Sequence, residues 1–212
     1  YGFPDLPVDE TAPYRYRGWP YGDTKIDAEK MVWSEARGSG LPVTVIRPAN
    51  VYGAGSESFV GAMADLIRDR SMVRIGRGRP PAGLCHVDNL VRVIIRAAED
   101  DLAAGEAFNV TDGNGMSWAA FTDLLADALG EPRPRLTLPR RTAYALGWMF
   151  EQARRSTGAH GRPLLTRMAV EILGTEQSFD ITKARRRLDY EPVGSVSDHM
   201  PAMIRWLREE RS

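Results

Sequence analysis

The sequence predicts an α/β fold, and three observations carry that reading. Short apolar, β-branched runs alternate with longer amphipathic runs along the chain. The run Val43 to Ile46, closed by Pro48, is the short, wholly β-branched stretch typical of a buried parallel strand. Capping residues and glycines bracket several of the amphipathic runs, which marks them as helices.

The elements follow in order. Prolines at 4, 7, 13 and 20 make the first twenty residues a loop. A helix is expected from Tyr21 to about Arg37, with Ile26, Ala28 and Met31 apolar among charges and Gly38 and Gly40 at its end. The Val43–Ile46 strand comes next, then a helix from Phe59 to Arg70, a short strand in "MVRIG" and a loop in "GRGRPPAG". Asp88 or Asn89 is the expected cap of a helix carrying Leu90, Val93, Ile94 and Ala97. "EAFNVTDG" reads as a strand running into a turn, in which Asn109 and Thr111 shape the bend. Ser117 caps a helix whose apolar face is Phe121, Leu124, Leu125 and Leu129, and Gly130 closes it. After a strand-like "RLTLP", helices are expected at 141–155, 165–173 and 182–188, with a terminal helix from Ser197.

Composition narrows the classes of function. The 212 residues carry 28 basic and 28 acidic side chains, 43% hydrophobic and 26% charged residues, as an ordinary globular protein does. A balanced charge lacks the electrostatic footprint of a nucleic-acid or anionic-membrane binder. A single cysteine, Cys85, excludes an internal disulfide, offers no metal cluster and points to a reducing cytoplasm. Lysine occurs only at Lys25, Lys30 and Lys183, the other basic residues being arginine. The opening residues have neither the basic start nor the apolar core of a signal peptide. Only two strands read as buried and parallel, too few for a free-standing parallel sheet, and no initiator methionine is present. We therefore expect a fragment whose earlier strands lie upstream.

Chemistry gathers at "YGDTK". Tyr21 and Lys25 are four residues apart at a helix start, so they share one face and can meet. By spacing alone such a pair is most often two surface residues. A phenol titrates near ~10, and a cation one turn away favours the phenolate.

Further landmarks lie in order along the chain: "RPANVYGAG" at 47–55, "CHVDNL" at 85–90, "AFNVTDG" at 107–113 and "KARRRLDYEP" at 183–192, with "DETAPY" ahead of the tyrosine and Glu29 four residues after Lys25. Together with "YGDTK" they resemble the extended short-chain dehydrogenase/reductases, the NAD-dependent epimerase/dehydratase family. The stretch 139–192 resembles its 3β-hydroxysteroid dehydrogenase-like branch.

The resemblance implies the C-terminal part of a Rossmann-like doubly wound parallel sheet plus a smaller, mostly helical substrate domain. Residues 1–53 and 84–112 would belong to the dinucleotide-binding part, and 54–83 and 113–212 to the substrate part. It implies NAD or NADP as cofactor, with Tyr21 as acid/base and Lys25 as its electrostatic partner and a ligand of the nicotinamide ribose. Pro48, Ala49, Asn50 and Val51 would pass beside the nicotinamide, and Asn50 and His86 are candidate substrate contacts. Arg47 and Pro48 are read equally as the end of a strand and as site residues. His86 is read as structural or as a pocket residue. No metal is implied. A homodimer through helices that include the Tyr/Lys one is also implied.

Two features bear on the substrate. Where nucleotide-sugar enzymes of the family carry an arginine suited to a diphosphate, this chain has Ala82 in "AGLCHV", with Arg77 and Arg79 as possible stand-ins. The apolar run Thr142 to Phe150 is too short to span a bilayer; it is read as core, as the lining of a lipid-like pocket, or as a surface resting on a membrane. The expected activity is interconversion of a 3-hydroxy and a 3-keto group on a large apolar, sterol-like or long-chain keto-acid substrate. A nucleotide-sugar epimerase or dehydratase and a non-catalytic NAD(P)-binding protein are the alternatives. No G-x-x-G-x-x-G follows a strand, so this polypeptide alone would hold at most half of a dinucleotide site.

Overall fold

A computed structural model describes residues 7–157 and 165–209; the opening Tyr1–Gly2 and Pro4 lie outside them. The chain forms α1 (Pro20–Ser39), β1 (Val45–Pro48), β2 (Asn50–Tyr52), a π-helical turn (Glu57–Gly61) and α2 (Ala62–Arg68). It continues through β3 (Arg74–Ile75), β4 (Leu84–His86), α3 (Val87–Glu99), β5 (Ala107–Val110) and α4 (Trp118–Leu129). Then come β6 (Thr137–Leu138), α5 (Arg140–Thr157), α6 (Arg167–Gly174), α7 (Thr182–Leu188) and α8 (Val196–Glu209).

The strands form three parallel pairs. β1 lies beside β5 with Val45 opposite Ala107, β2 beside β4 with Asn50 opposite Leu84, and β3 beside β6. The first two pairs are continuous. The Ala49 amide still donates to Val110 (3.0 Å), while the Asp112 amide donates to Leu84 (2.7 Å), so the chain changes neighbours at Ala49. Proline at 48 can end β1 because it has no amide to donate to a ladder.

β4 separates two cores. Leu84 joins Tyr52, Val60, Met63, Phe121, Leu125, Met203 and Leu207 on one side. Cys85, its neighbour, joins Val93, Phe108, Val110, Ala184, Leu188 and Tyr190 on the other. Successive strand residues face opposite ways, so three residues serve both cores. All four residues of β5 are buried, as a strand covered on both faces requires. Each fully buried large side chain contributes roughly 1.5–3 kcal/mol. The α7 segment returns to the Cys85 side, so residues 181–190 pack with β5 and α3.

The α4 expectation holds at both ends: Ser117 Oγ accepts from the Ala120 amide (3.2 Å), and Gly130 closes the helix in the left-handed region at φ 77°. The α3 cap differs. β4 runs straight into the helix, so the cap position falls on His86, whose Nδ1 accepts from the Asp88 amide (3.3 Å). Neither Asp88 nor Asn89 caps it; Asn89 is buried and donates from Nδ2 to Asp112 (2.9 Å). Thr111 does shape its turn, its Oγ1 accepting from the Gly113 amide, whereas Asn109 reaches out to Val8 and Asp180.

The apolar run of α5 divides. Ala143 and Gly147 are buried, Gly147 where a Cβ would stand 2.9 Å from the Arg167 nitrogen, while Trp148, Met149 and Phe150 are exposed. Core packing therefore accounts for only part of it. No helix among the described residues is long and apolar enough to cross a membrane.

Candidate functional site

α1 begins one residue earlier than expected, with Pro20 at its first position, where a missing amide is harmless. It ends on Gly40, in the left-handed region at φ 73°, whose amide donates to Ala36 (2.9 Å). The helix buries none of its residues. Tyr21 is 63% exposed, and the Lys25 ammonium lies 5.7 Å from the centroid of its ring. That contact is a cation over an aromatic face, as a turn of helix allows. Among the described residues neither the Tyr21 hydroxyl nor the Lys25 ammonium is held in a hydrogen bond or an ion pair.

The rest of α1 is tied down through its carboxylates. Glu29 Oε1 accepts from Tyr14 Oη (2.9 Å), Trp33 Nε1 (3.2 Å) and Arg47 Nη2 (2.6 Å), and Arg47 Nε lies 3.1 and 3.2 Å from its two oxygens. Asp27 accepts from Tyr16 Oη (2.5 Å), and Asp23 from the Arg17 amide (3.0 Å). Burial acts to raise the Glu29 carboxyl, but hydrogen bonds from Arg47 and Tyr14 outweigh it and hold the group below the usual carboxylate range. Arg47 also donates to the Glu10 carbonyl (2.9 Å), and Glu10 in turn accepts from the Asn109 amide (2.8 Å). Arg47 thus joins the loop, α1 and β1, which is more than ending a strand.

Pro48 is exposed, and Ala49, Asn50 and Val51 are half-buried, forming the passage from β1 to β2 that Arg47 leads into. The Asn50 amide donates to Gly83 (2.8 Å) and its Nδ2 to the Ala82 carbonyl (2.7 Å). Ala82 is fully buried in the core, while Arg77 and Arg79, the two arginines ahead of it, are exposed.

His86 is buried and stacked on His199, with ring centroids 3.5 Å apart and planes 6° from parallel. Tyr52 packs edge-on against it at 5.1 Å. Burial, followed by the neighbouring His199, lowers the His86 imidazole below its ordinary range, against the opposing pull of Asp88 and Asp112. Beside this pair Asp112 is a hub the sequence reading missed. It accepts from Tyr52 Oη (2.8 Å), the His86 amide (2.9 Å) and Asn89 Nδ2 (2.9 Å). A groove of about 750 Å³ between α4 and α8, lined by Leu124, Met200 and Ile204 among others, touches none of the candidate residues.

The alternation of parallel strands and helices, with a tyrosine and a lysine displayed one turn apart ahead of β1, defines a class. The chain belongs to the NAD dependent epimerase/dehydratase family, whose model matches residues 1–111. Among its relatives is a ketoreductase of Stigmatella aurantiaca named for 4-hydroxy-2-methyl-3-oxo-4-farnesyl-3,4-dihydroquinoline-1-oxide. It is 33% identical over 190 residues, covering 89% of this chain and 56% of the relative. Another is the 3 beta-hydroxysteroid dehydrogenase/Delta 5-->4-isomerase of Mycobacterium tuberculosis, 31% identical over 193 residues, covering 87% of this chain and 51% of the relative. In fold the chain is similar to UDP-glucuronic acid 4-epimerase from Bacillus cereus, solved with NAD, at a TM-score of 0.72 and 19% identity, covering 100% of this chain and 59% of that one. The chain spans about half the length of the curated relatives it matches. The expected α/β architecture with Rossmann-type parallel strands is what these structures share.

Proposed function

We propose that this chain is part of an NAD(P)-dependent oxidoreductase. It would interconvert a hydroxyl and a ketone, a 3-hydroxy and a 3-keto group, on a large apolar substrate. The observation that carries this reading is the unengaged Tyr21 hydroxyl with the Lys25 ammonium 5.7 Å from its ring. A carbonyl reduction needs a proton at oxygen as well as hydride at carbon, and a phenol beside a cation can give it up or take it back. The bound nicotinamide would supply or accept the hydride.

The residues present fit one side of such a cofactor: an exposed hydroxyl and an exposed ammonium on one helical stripe, followed by the half-buried Ala49–Val51 passage. In this reading Tyr21 moves the proton at the substrate oxygen, and Lys25 holds the ribose and is the tyrosine's electrostatic partner. Pro48, Ala49, Asn50 and Val51 wall the nicotinamide side, and Asn50 faces substrate. His86, buried and stacked on His199, is with Asn50 the candidate substrate contact. Residues 1–53 and 84–112 serve the cofactor, and 54–83 and 113–212 the substrate, with α7 packed back on the first group. The buried Ala82 favours an apolar substrate over a nucleotide diphosphate. The exposed Met31 and Val32 of α1 suit a homodimer, which sedimentation of the complete protein tests. Buried, unpaired Cys85 suits a cytoplasmic setting.

The test is Tyr21→Phe in the complete enzyme, assayed at the nicotinamide absorbance band with apolar 3-hydroxy substrates. Turnover should be lost while cofactor affinity stays nearly intact; retained turnover removes the assignment. Conversion of a nucleotide sugar with no net absorbance change would establish the epimerase alternative instead.

A further inference from the structure

On α1, Tyr21, Lys25 and Glu29 succeed one another at four-residue steps and so form a single stripe. Lys25 has the tyrosine one turn before it and a carboxylate one turn after it. An unengaged Glu29 would compete directly for its ammonium. Asp27 and Asp23 are also within two residues of Lys25, though side chains two apart point to different faces.

In the structure all three carboxylates are engaged by donors other than Lys25. Asp23 takes the Arg17 amide, Asp27 the Tyr16 hydroxyl, and Glu29 the Arg47 guanidinium together with Tyr14 and Trp33. The Tyr16 hydroxyl also accepts from Lys30 Nζ (3.0 Å), and Lys30 lies 5.4 Å over the Tyr14 ring, so the helix's second lysine is engaged with the same loop. Lys25 alone of the two is left over the tyrosine ring. Arg47 makes the shortest of the contacts to Glu29, from a side chain only 25% exposed to one 15% exposed, and reaches both oxygens. A guanidinium can hold a carboxylate in this two-pronged way and an ammonium cannot.

We infer that Arg47 is a positioning residue that acts through Glu29: by holding that carboxylate against β1 it keeps the Lys25 charge for Tyr21. The inference rests on the proton-transfer role proposed for the pair. It gives Arg47 an electrical task beyond its mechanical one, since anchoring α1 to β1 would need no particular charge.

Charge and anchoring separate in a pair of variants of the complete enzyme, read by the pH dependence of kcat. Arg47→Met frees Glu29. The limb of the profile that reports deprotonation of the acid/base should then move to higher pH by up to about one unit, and kcat at neutral pH should fall about 3–10-fold. Glu29→Gln/Arg47→Met removes the freed carboxylate as well, and its limb should return to the wild-type position even though the anchor is gone and the melting temperature is lower. A limb that stays in place in Arg47→Met, or stays displaced in the double variant, overturns the inference. Glu29→Gln alone keeps Arg47 and serves if Arg47→Met does not fold: its limb should lie at or below the wild-type position, and an upward shift overturns the inference. Retained turnover in Tyr21→Phe would instead remove the underlying assignment, so the two failures are distinguishable.

Discussion

Tyr21 and Tyr52 are both followed by glycine, and their hydroxyls stand in opposite surroundings. Tyr52 is fully buried, its ring edges meet His86 and Phe121, and its hydroxyl donates to the Asp112 carboxylate. Burial first, and then Asp112, push that phenol far above its ordinary range. Tyr21 stands on a helix with no buried residue and has an ammonium beside it. One hydroxyl is closed in the core against a carboxylate; the other stands open to solvent with an ammonium near its ring. The comparison teaches that the neighbour's charge and the access of water, more than the residue type, set what a tyrosine hydroxyl meets, and the acid/base role proposed for Tyr21 draws on that difference.

The largest expected effect separates the two. Tyr21→Phe should lower turnover about 10²–10⁴-fold in the complete enzyme with the melting curve unmoved, the range that positioned acid/base groups contribute. Asp112→Ala should do the reverse. It takes the shared acceptor from three donors, the Tyr52 hydroxyl, the His86 amide and Asn89 Nδ2, and should cost about 3–5 kcal/mol in a urea titration. Tyr52→Phe removes one of those donors and should cost about 1–3 kcal/mol, with Tyr21 chemistry retained.

Acid sharpens the contrast further. The folded-state pKa of His86 lies below that of the unfolded chain, so the unfolded chain binds the proton first. The corresponding stability is fully present above about pH 6.5 and is lost as pH falls from there toward the folded value. The melting temperature should therefore drop between about pH 7.5 and 5.5, and His86→Asn, which can still cap α3, should flatten that slope. The smallest of these effects is at the N-terminus of α4. Ser117→Ala should remove about 1 kcal/mol by exposing the first amides of α4, with no change in pH dependence.

Sequence patterns revealed those elements that carry their own punctuation. Ser117 and Gly130 bound α4, and Thr182 to Leu188 is α7 as read. The Tyr21–Lys25 spacing also announced itself, because four residues is a property of a single helix. What stayed hidden depends on residues far apart in the chain. β2 and β4 have three residues each, too few for an alternating pattern to emerge. His86 escaped notice as a cap because the usual cap residues Asp88 and Asn89 stand just after it. Asp112 in "TDG" reads as a turn residue until Tyr52, sixty positions earlier, is laid beside it. Glu29 and Arg47 pair only after β1 has been placed against α1.

One feature of the loop ahead of α1 bears on the order of folding. Val8 bridges Phe179 in parallel: its amide donates to Ser178 (3.0 Å), and its carbonyl accepts from the Asp180 amide (2.9 Å) and from Asn109 Nδ2 (3.1 Å). The strap that aligns the first described helix is thus fastened by residues near the other end of the chain. Closing so long a loop is slow, and during synthesis the fastening residues emerge late. The Tyr21–Lys25 stripe should accordingly be held in register at the end of folding, and pulse-labelled hydrogen exchange should find the Val8 amide protected no earlier than that of Asp180.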